Sequence, residues 1–289
     1  MYNELKEKTY LVTGATSGIG YALTGQLARH GARIIGVGRS AEKCAQSQSI
    51  LRRDTQNERI DYLKADLSLQ SEVRRLAAQI GEFLASQGVT GLDGLVNNAG
   101  TFTYWCRLTD EGVETQWAVN HFAGYLLANA LLPWLEAAPS GRIITVSSQS
   151  HYGSKIDWND PQRRRKYNGL RVYGDTKLAN LLLTLGFNER LAKNSAVRAD
   201  AVDPGLVNTE IGSKGTPAIA NLVWKLRKSG GTTPDVPAAG IVQLLADNEH
   251  HTSLVHYWKN ARPQKSSREA LNVQTADRLW AYSQDICGL

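Results

Sequence analysis

Cysteine is scarce in this sequence of 289 residues: Cys44, Cys106 and Cys287 are far apart and odd in number. They exclude a disulfide framework and a C-x-x-C metal pair, and they fit a reducing compartment. No uninterrupted apolar run reaches the ~18 residues that a membrane span needs. The N-terminus, M-Y-N-E-L-K-E-K, is charged and runs straight into a strand pattern, so no signal peptide is expected. N-x-S/T sequons are absent. His250, His251 and His256 have no carboxylate or cysteine companions at ligand spacing, so no metal site is expected. These absences together predict a soluble, cytoplasmic protein. The net charge of +6 comes from scattered residues, with Arg163, Arg164, Arg165 and Lys166 the nearest thing to a cluster. Without a basic stripe or a recognised module, nucleic acid is not an expected partner. That run could steer an acidic ligand, but a solvated face is the preferred reading.

Ordinary proportions of hydrophobic residues (42%) and charged residues (21%) argue against extensive disorder and for a sizeable core. Short apolar runs alternate with helical patterns along the chain. Strands are expected at 9–13, 32–38, 60–66, 92–96, 142–146 and 197–202, with an edge strand near 254–258. Helices are expected at 21–30, 41–54, 69–87, 110–137, 172–193 and 235–247, with Pro133 bending or ending the fourth. Such alternation predicts an α/β fold: a doubly wound parallel sheet of Rossmann type, in a single domain with helices on both faces. No internal repeat or domain boundary divides residues 1–289. Residues 149–171 lack periodicity and read as an insertion beside the functional region. Residues 211–237, punctuated by glycine and proline, read as a lid. The tail from Lys259 is polar and could form a short terminal helix.

Between the first strand and helix lies T-G-A-T-S-G-I-G, residues 13 to 20, with Gly14, Gly18 and Gly20. Glycines there allow a tight turn and bring amide groups close to a pyrophosphate at the helix N-terminus. An ordinary glycine-rich turn would carry similar residues, so this signal is specific only in its strand–loop–helix setting. At the end of the second strand, where an acidic residue would hold a ribose 2′-hydroxyl, the chain has Gly38-Arg39-Ser40. Arg39 and Ser40 can bond a 2′-phosphate instead, which favours NADP(H) over NAD(H). Further on, V-Y-G-D-T-K-L-A-N-L-L places Tyr173 and Lys177 four residues apart, on one face of a helix. A nearby ammonium favours phenolate, so this pair is expected to form a general acid with a lowered pKa. Alone, the pair could equally be two solvated side chains.

Taken together, these residues resemble the short-chain dehydrogenase/reductase family over most of residues 8 to 260. Thr16, Ser17 and Ile19 complete the cofactor loop with its glycines. Asp66 and Leu67 in A-D-L resemble the adenine-contact position, and Asn98, Ala99 and Gly100 belong to the N-N-A-G of the fourth strand. Asn120, Ser148, Tyr173 and Lys177 resemble the catalytic tetrad, with Ser147 assigned to packing. Pro204, Gly205, Val207 and Thr209 resemble the turn that meets the nicotinamide. The long interval from Ser148 to Tyr173, preceded by S-S-x-S-H, resembles the retinol-dehydrogenase-like branch and its WW-domain-containing oxidoreductase relatives.

The resemblance implies an NADP(H)-dependent carbonyl reductase. Tyr173 would act as acid, Ser148 as hydrogen-bond donor to the developing alkoxide, and Lys177 as ligand of the nicotinamide ribose. Asn120 would anchor a water that links Lys177 to solvent. Phe102, Tyr104, Trp105, His151, Tyr152, Trp158, Leu206 and Trp224 suggest an aromatic mouth for a hydrophobic ketone, aldehyde or alcohol. A catalytically silent NADP(H) sensor or scaffold is the alternative, although none of the four catalytic positions is lost. By resemblance, the helices around 110–137 and 172–193 could pair in a homodimer.

Overall fold

The computed structural model describes residues 3–191, 195–207, 231–247 and 256–289. Its first half alternates strand and helix: β1 (Thr9–Thr13), α1 (Gly18–Arg29), β2 (Arg33–Gly38), α2 (Ala41–Thr55), β3 (Ile60–Lys64), α3 (Gln70–Ser86) and β4 (Gly94–Asn97). The second half comprises α4 (Thr115–Trp117), a π-helical turn (Ala118–Phe122), α5 (Ala123–Ala130), α6 (Leu132–Glu136), β5 (Arg142–Val146) and α7 (Gly169–Arg190). After these come β6 (Arg198–Val202), α8 (Asp235–Ala246), β7 (Tyr257–Lys259), β8 (Arg262–Pro263) and α9 (Val273–Cys287).

The strands form one sheet in the order β3-β2-β1-β4-β5-β6-β7-β8, parallel except for the last pair. Side chains alternate across a strand, so β1 sends Leu11 into one core and Tyr10 and Val12 into the other. Both faces of the central strands are apolar, and helices must cover each. On one side α1, α2 and α8 pack around Leu23, Leu27, Ile241 and Leu244. The other side is filled by Trp117, Phe122, Leu178, Leu182 and Phe187, under α3, α5 and α7. Because β1 has β2 on one side and β4 on the other, the strand order reverses there. A crevice at such a switch point, beyond the carboxyl ends of the strands, is where α/β sheets bind ligands. The doubly wound expectation is met.

Several boundaries differ from expectation for local reasons. The fourth helix starts at Thr115 rather than near 110, because Leu108 and Glu114 pair in an antiparallel bridge. The Glu114 carboxylate then caps α4 by accepting the Trp117 N–H at 2.9 Å. The helix breaks at Leu131, and Pro133 falls in the first turn of α6, where its missing N–H costs nothing. Helix α7 begins three residues early, since Asn168 accepts the Arg171 N–H at 3.1 Å as a cap. Strand β7 is not an edge, because β8 continues the sheet beyond it.

The tail holds a larger surprise. Rather than a short terminal helix, it forms the 15-residue α9. Trp280 of α9 packs edge-on against Tyr125 of α5 (ring centroids 5.1 Å) and Phe187 of α7 (5.0 Å). The Arg190 guanidinium lies 4.4 Å from the same ring. Helix α9 thus covers the Tyr125 and Phe187 side of α5 and α7. Of the expected lid, residues 211–230 lie outside the described residues, as do Thr209, Trp224, His250 and His251. Among the described residues, no helix is long and apolar enough to cross a membrane.

Candidate active site

The carboxyl ends of β1 and β4 are tied together by one hydroxyl. Thr13 Oγ1 accepts the N–H groups of Asn98 and Ala99, both at 3.0 Å, while Asn98 Nδ2 donates to Thr13 O at 2.8 Å. This brings the glycine turn against N-N-A-G. Gly14 adopts a left-handed conformation (φ +67°), and a Cβ on Gly20 would lie 2.4 Å from the Gly14 carbonyl oxygen. No larger residue fits at position 20 without separating α1 from the turn. Ser17 precedes α1, yet its side chain makes no cap hydrogen bond. The first-turn amides from Gly18 onward therefore keep their capacity for an anion. Thr16 and Gly18 are half-buried beside them, and Ile19 turns its side chain into the core.

At the end of β2, Arg39 is exposed. Ser40 caps α2 by accepting the Lys43 N–H at 3.3 Å, which leaves its own proton to donate. An arginine, a serine and a helix N-terminus make a donor set suited to a phosphate. Asp66 closes a turn by accepting the N–H and hydroxyl of Ser68, at 2.9 and 2.7 Å, and Leu67 lies against the core. On the far side, Gly205 turns with φ +71° after Pro204, and Val207 bridges Thr232. Glycine turn, arginine, N-N-A-G and P-G turn thus fit an extended dinucleotide.

Helix α7 carries Tyr173 and Lys177 on successive turns, with the ammonium 5.4 Å from the phenol ring centroid. Lys177 Nζ donates to Val146 O at 3.0 Å, and Asn180 Nδ2 donates to the same oxygen at 3.2 Å. Ser147 is buried, its hydroxyl spent on Lys177 O at 2.7 Å. Ser148, next in the chain, faces outward; its Oγ accepts the Ser150 N–H and donates to Ser150 Oγ, both at 3.2 Å. Asn120 sits in the π-helical turn, a distortion often found at functional sites. Its amide accepts the Thr101 N–H at 2.7 Å, and donates to Thr101 O at 3.0 Å and Thr176 Oγ1 at 3.1 Å. A Cβ on Gly100 would come within 3.6 Å of Asn120 Oδ1 and 3.8 Å of Lys177 Nζ. The fold therefore gathers Asn120, Tyr173, Lys177 and Gly100 at one place, with Ser148 at the adjoining strand end.

The electrostatics correct one expectation. Burial, helped by the carboxylate of Asp203, pushes the Tyr173 phenol up to about 12. Burial also pushes Lys177 down to about 8. Desolvation sets the direction of the shift at both groups. At neutral pH Tyr173 is a protonated phenol, a proton donor already loaded.

The aromatic mouth is only partly as expected. Phe102 packs edge-on against Tyr104 (4.7 Å) and against Tyr173 (5.9 Å). Trp105, Tyr152 and Leu206 are exposed. His151 and Trp158 are not mouth residues: His151 is fully buried, and Trp158 packs against the core with the Arg278 guanidinium of α9 on its ring. Nor is the basic run wholly a solvated face. Arg163 forms an ion pair with the buried Asp175 of α7, and Arg164 bonds Gln162 and Gly112 O. Tyr167 donates to the buried Glu114 at 2.9 Å, and Gln162 donates to Tyr282 of α9 at 2.7 Å. The segment is knitted to the body by side chains far apart in sequence. Glu114 and Asp175 carry no spacing signal that singles them out; only their burial does.

A family model described as short chain dehydrogenase matches residues 8–219. Human retinol dehydrogenase 13 is 33% identical, over 98% of this chain and 85% of its own length. Human polyprenol dehydrogenase is 30% identical, over 98% of this chain and 86% of its own. A crystal structure of an uncharacterized protein from Mycobacterium Paratuberculosis superposes with a TM-score of 0.72 at 28% identity, covering 98% of this chain and 94% of that one.

Proposed function

The chain belongs to the short-chain dehydrogenase family and its retinol-dehydrogenase-like branch, and on that premise we propose an NADP(H)-dependent oxidoreductase that interconverts a hydrophobic ketone or aldehyde and its alcohol. The observation that carries this reading is the placement of Tyr173 one helical turn from Lys177, whose ammonium lies 5.4 Å from the phenol ring centroid and beside Gly100. Bound NADP(H) supplies or accepts the hydride.

The chain's own residues manage the oxygen. Tyr173 gives its proton to the carbonyl oxygen during reduction and recovers one during oxidation. Ser148 turns its hydroxyl from Ser150 Oγ to that oxygen, where the bond strengthens as negative charge develops. The Ser150 N–H, already donated to Ser148 Oγ, favours that donation. Lys177 holds ribose hydroxyls, and Asn120 fixes the backbone at Thr101 beside it. Gly14, Thr16, Ser17, Gly18, Ile19 and Gly20 cradle the pyrophosphate, with Arg39 and Ser40 on the 2′-phosphate. Asp66, Leu67, Asn98, Ala99, Gly100, Pro204, Gly205 and Val207 would line the remainder. Phe102, Tyr104, Trp105 and Leu206 favour a bulky apolar substrate. The names of the relatives, retinol and polyprenol dehydrogenase, point the same way. Three free cysteines suit a cytoplasmic setting.

The test follows NADPH consumption with a panel of apolar aldehydes and ketones, with NADH run in parallel. Turnover of bulky apolar carbonyls with NADPH preferred is expected. Tight NADPH binding without turnover of any carbonyl or alcohol would instead indicate a sensor.

A further inference from the structure

Directly after Ser148, the turn Gln149–His151 carries a histidine with no exposed surface. Its Nδ1 lies 2.7 Å from Ser148 O, and its Nε2 lies 3.1 Å from the backbone N of Ser267. A carbonyl can only accept and a backbone N–H can only donate. The ring is therefore neutral, with its proton on Nδ1, and both nitrogens are used. Burial holds the group below the usual histidine range, in keeping with a neutral ring. The groups around it are Tyr152 (centroids 4.1 Å), Tyr257 of β7 (5.1 Å) and the carboxylate of Asp203, the residue that follows β6.

Ser267 belongs to the strap that leads from β8 to α9. The same strap is held by Tyr152, whose hydroxyl donates to Lys265 O, and by Gln264 N–H donating to Tyr257 O at 2.9 Å. Ser148 O also accepts the His151 backbone N–H, at 3.2 Å. With two donors on its carbonyl, the Ser148 peptide plane is fixed in an extended conformation (φ −172°, ψ 158°). Fixing that plane fixes the direction of the Cα–Cβ bond, from which Oγ is then held by its bonds to Ser150.

We propose that His151 is a positioning residue for Ser148, tying the orientation of the serine hydroxyl to the docked C-terminal strap through a single Nδ1–H imidazole. The assignment rests on the reading of Ser148 as the hydroxyl that meets the substrate oxygen. The Nδ1–H on the Ser148 carbonyl sets the serine, and the strap, through the Ser267 N–H on Nε2, seats the ring without adding a group to the chemistry.

Two substitutions separate positioning from simple filling. An asparagine amide reaches the place of Nδ1 and can still donate to Ser148 O. A glutamine amide is nearer histidine in volume but reaches the place of Nε2, so it can accept from Ser267 and leaves Ser148 O without its side-chain donor. In steady-state assays with NADPH and the best carbonyl of the panel, His151→Asn should keep kcat within about threefold. His151→Gln should lose kcat at least about tenfold, with KM for NADPH unchanged in both. A filler role predicts the reverse order, and glutamine matching or exceeding asparagine would overturn the proposal. The tautomer provides a readout independent of turnover: ¹⁵N NMR of the wild-type side chain should show the proton on Nδ1, and a proton on Nε2 would also overturn it. If the wild type turns over no carbonyl or alcohol, the dehydrogenase reading fails, and the tautomer alone then decides whether His151 makes the tie.

Discussion

Arg163 forms an ion pair with Asp175 across the seam between residues 149–168 and α7, and Asp175 lies between Tyr173 and Lys177 in sequence. Asp175 is 1% exposed, and burial pushes its carboxyl up to about 6, against the pull of Arg163. A folded-state value above the ordinary carboxylate range means that the fold favours the protonated form. Its contribution to stability is full below the unfolded pKa and is lost as pH rises through about 6. Removing Arg163 takes away the main lowering influence and deepens that loss at neutral pH. Arg163→Gln should cost about 3 kcal/mol near pH 7.5 and clearly less near pH 5, because only the ionised carboxylate is stranded. The double variant Arg163→Gln/Asp175→Asn should recover most of the loss. Urea denaturation at the two pH values checks this, and an equal loss at both would refute it.

Tyr173→Phe should bind NADPH as the wild type does and lose about 10³-fold in kcat, the scale of a missing general acid. Cofactor affinity from nucleotide fluorescence and single-turnover rates separate the two effects. Turnover near wild type would remove Tyr173 from the mechanism.

Arg39→Asp should shift the ratio of kcat/KM for NADPH and NADH by about 2–3 kcal/mol, since a charge-assisted contact becomes a repulsion. Tm should barely move, because the side chain is exposed at the end of β2. An unchanged ratio in parallel assays would rule out the 2′-phosphate assignment.

What could be read from the sequence was whatever depends on spacing along one element. Tyr173 and Lys177 meet because four residues make about one helical turn, and Gly14 and Gly20 lie together because one turn holds them. Short apolar runs such as Tyr10, Leu11 and Val12, alternating along the chain with helical patterns, foretold a sheet covered on both faces. The missing parts are contacts between elements distant in the chain. Glu114 with Tyr167, Gln162 with Tyr282, and His151 with Ser267 leave no periodic trace. Residues 149–171 therefore looked like a loose insertion, although polar side chains anchor them at several points. The direction of the Tyr173 shift was missed for a related reason. Spacing shows which charges are neighbours but not how deeply they are buried, and here burial decides the sign.

Lys177 also carries a stability cost. Its folded-state value, near 8, lies below the ordinary lysine range, so the fold disfavours the ammonium. Stability from this group is reduced at pH 7 and returns as pH rises from about 8 towards the unfolded pKa. Lys177→Met should therefore raise stability by about 1–3 kcal/mol at pH 7 while abolishing turnover. Val146 O keeps Asn180 as a donor in that variant, so no acceptor is stranded. The advantage should shrink above pH 9, which denaturation at pH 7 and 9.5 would show. A variant less stable than wild type at pH 7 would mean that the Val146 contact outweighs desolvation.

Helix α9 supplies the last prediction. Trp280 fills the groove between Tyr125 and Phe187, with Arg190 over its ring, and it is the largest side chain that α9 brings to that face. Trp280→Ala should cost about 3 kcal/mol through lost burial and the cavity left behind. It also uncovers an apolar surface formed by α5 and α7, and such surfaces seek a partner. Light scattering should then show concentration-dependent association of the variant under conditions where the wild type stays monomeric. If α9 merely decorates the surface, the variant keeps both its mass and its Tm. If the wild type is already dimeric at micromolar concentration, copies must pair through a face other than the one α9 covers.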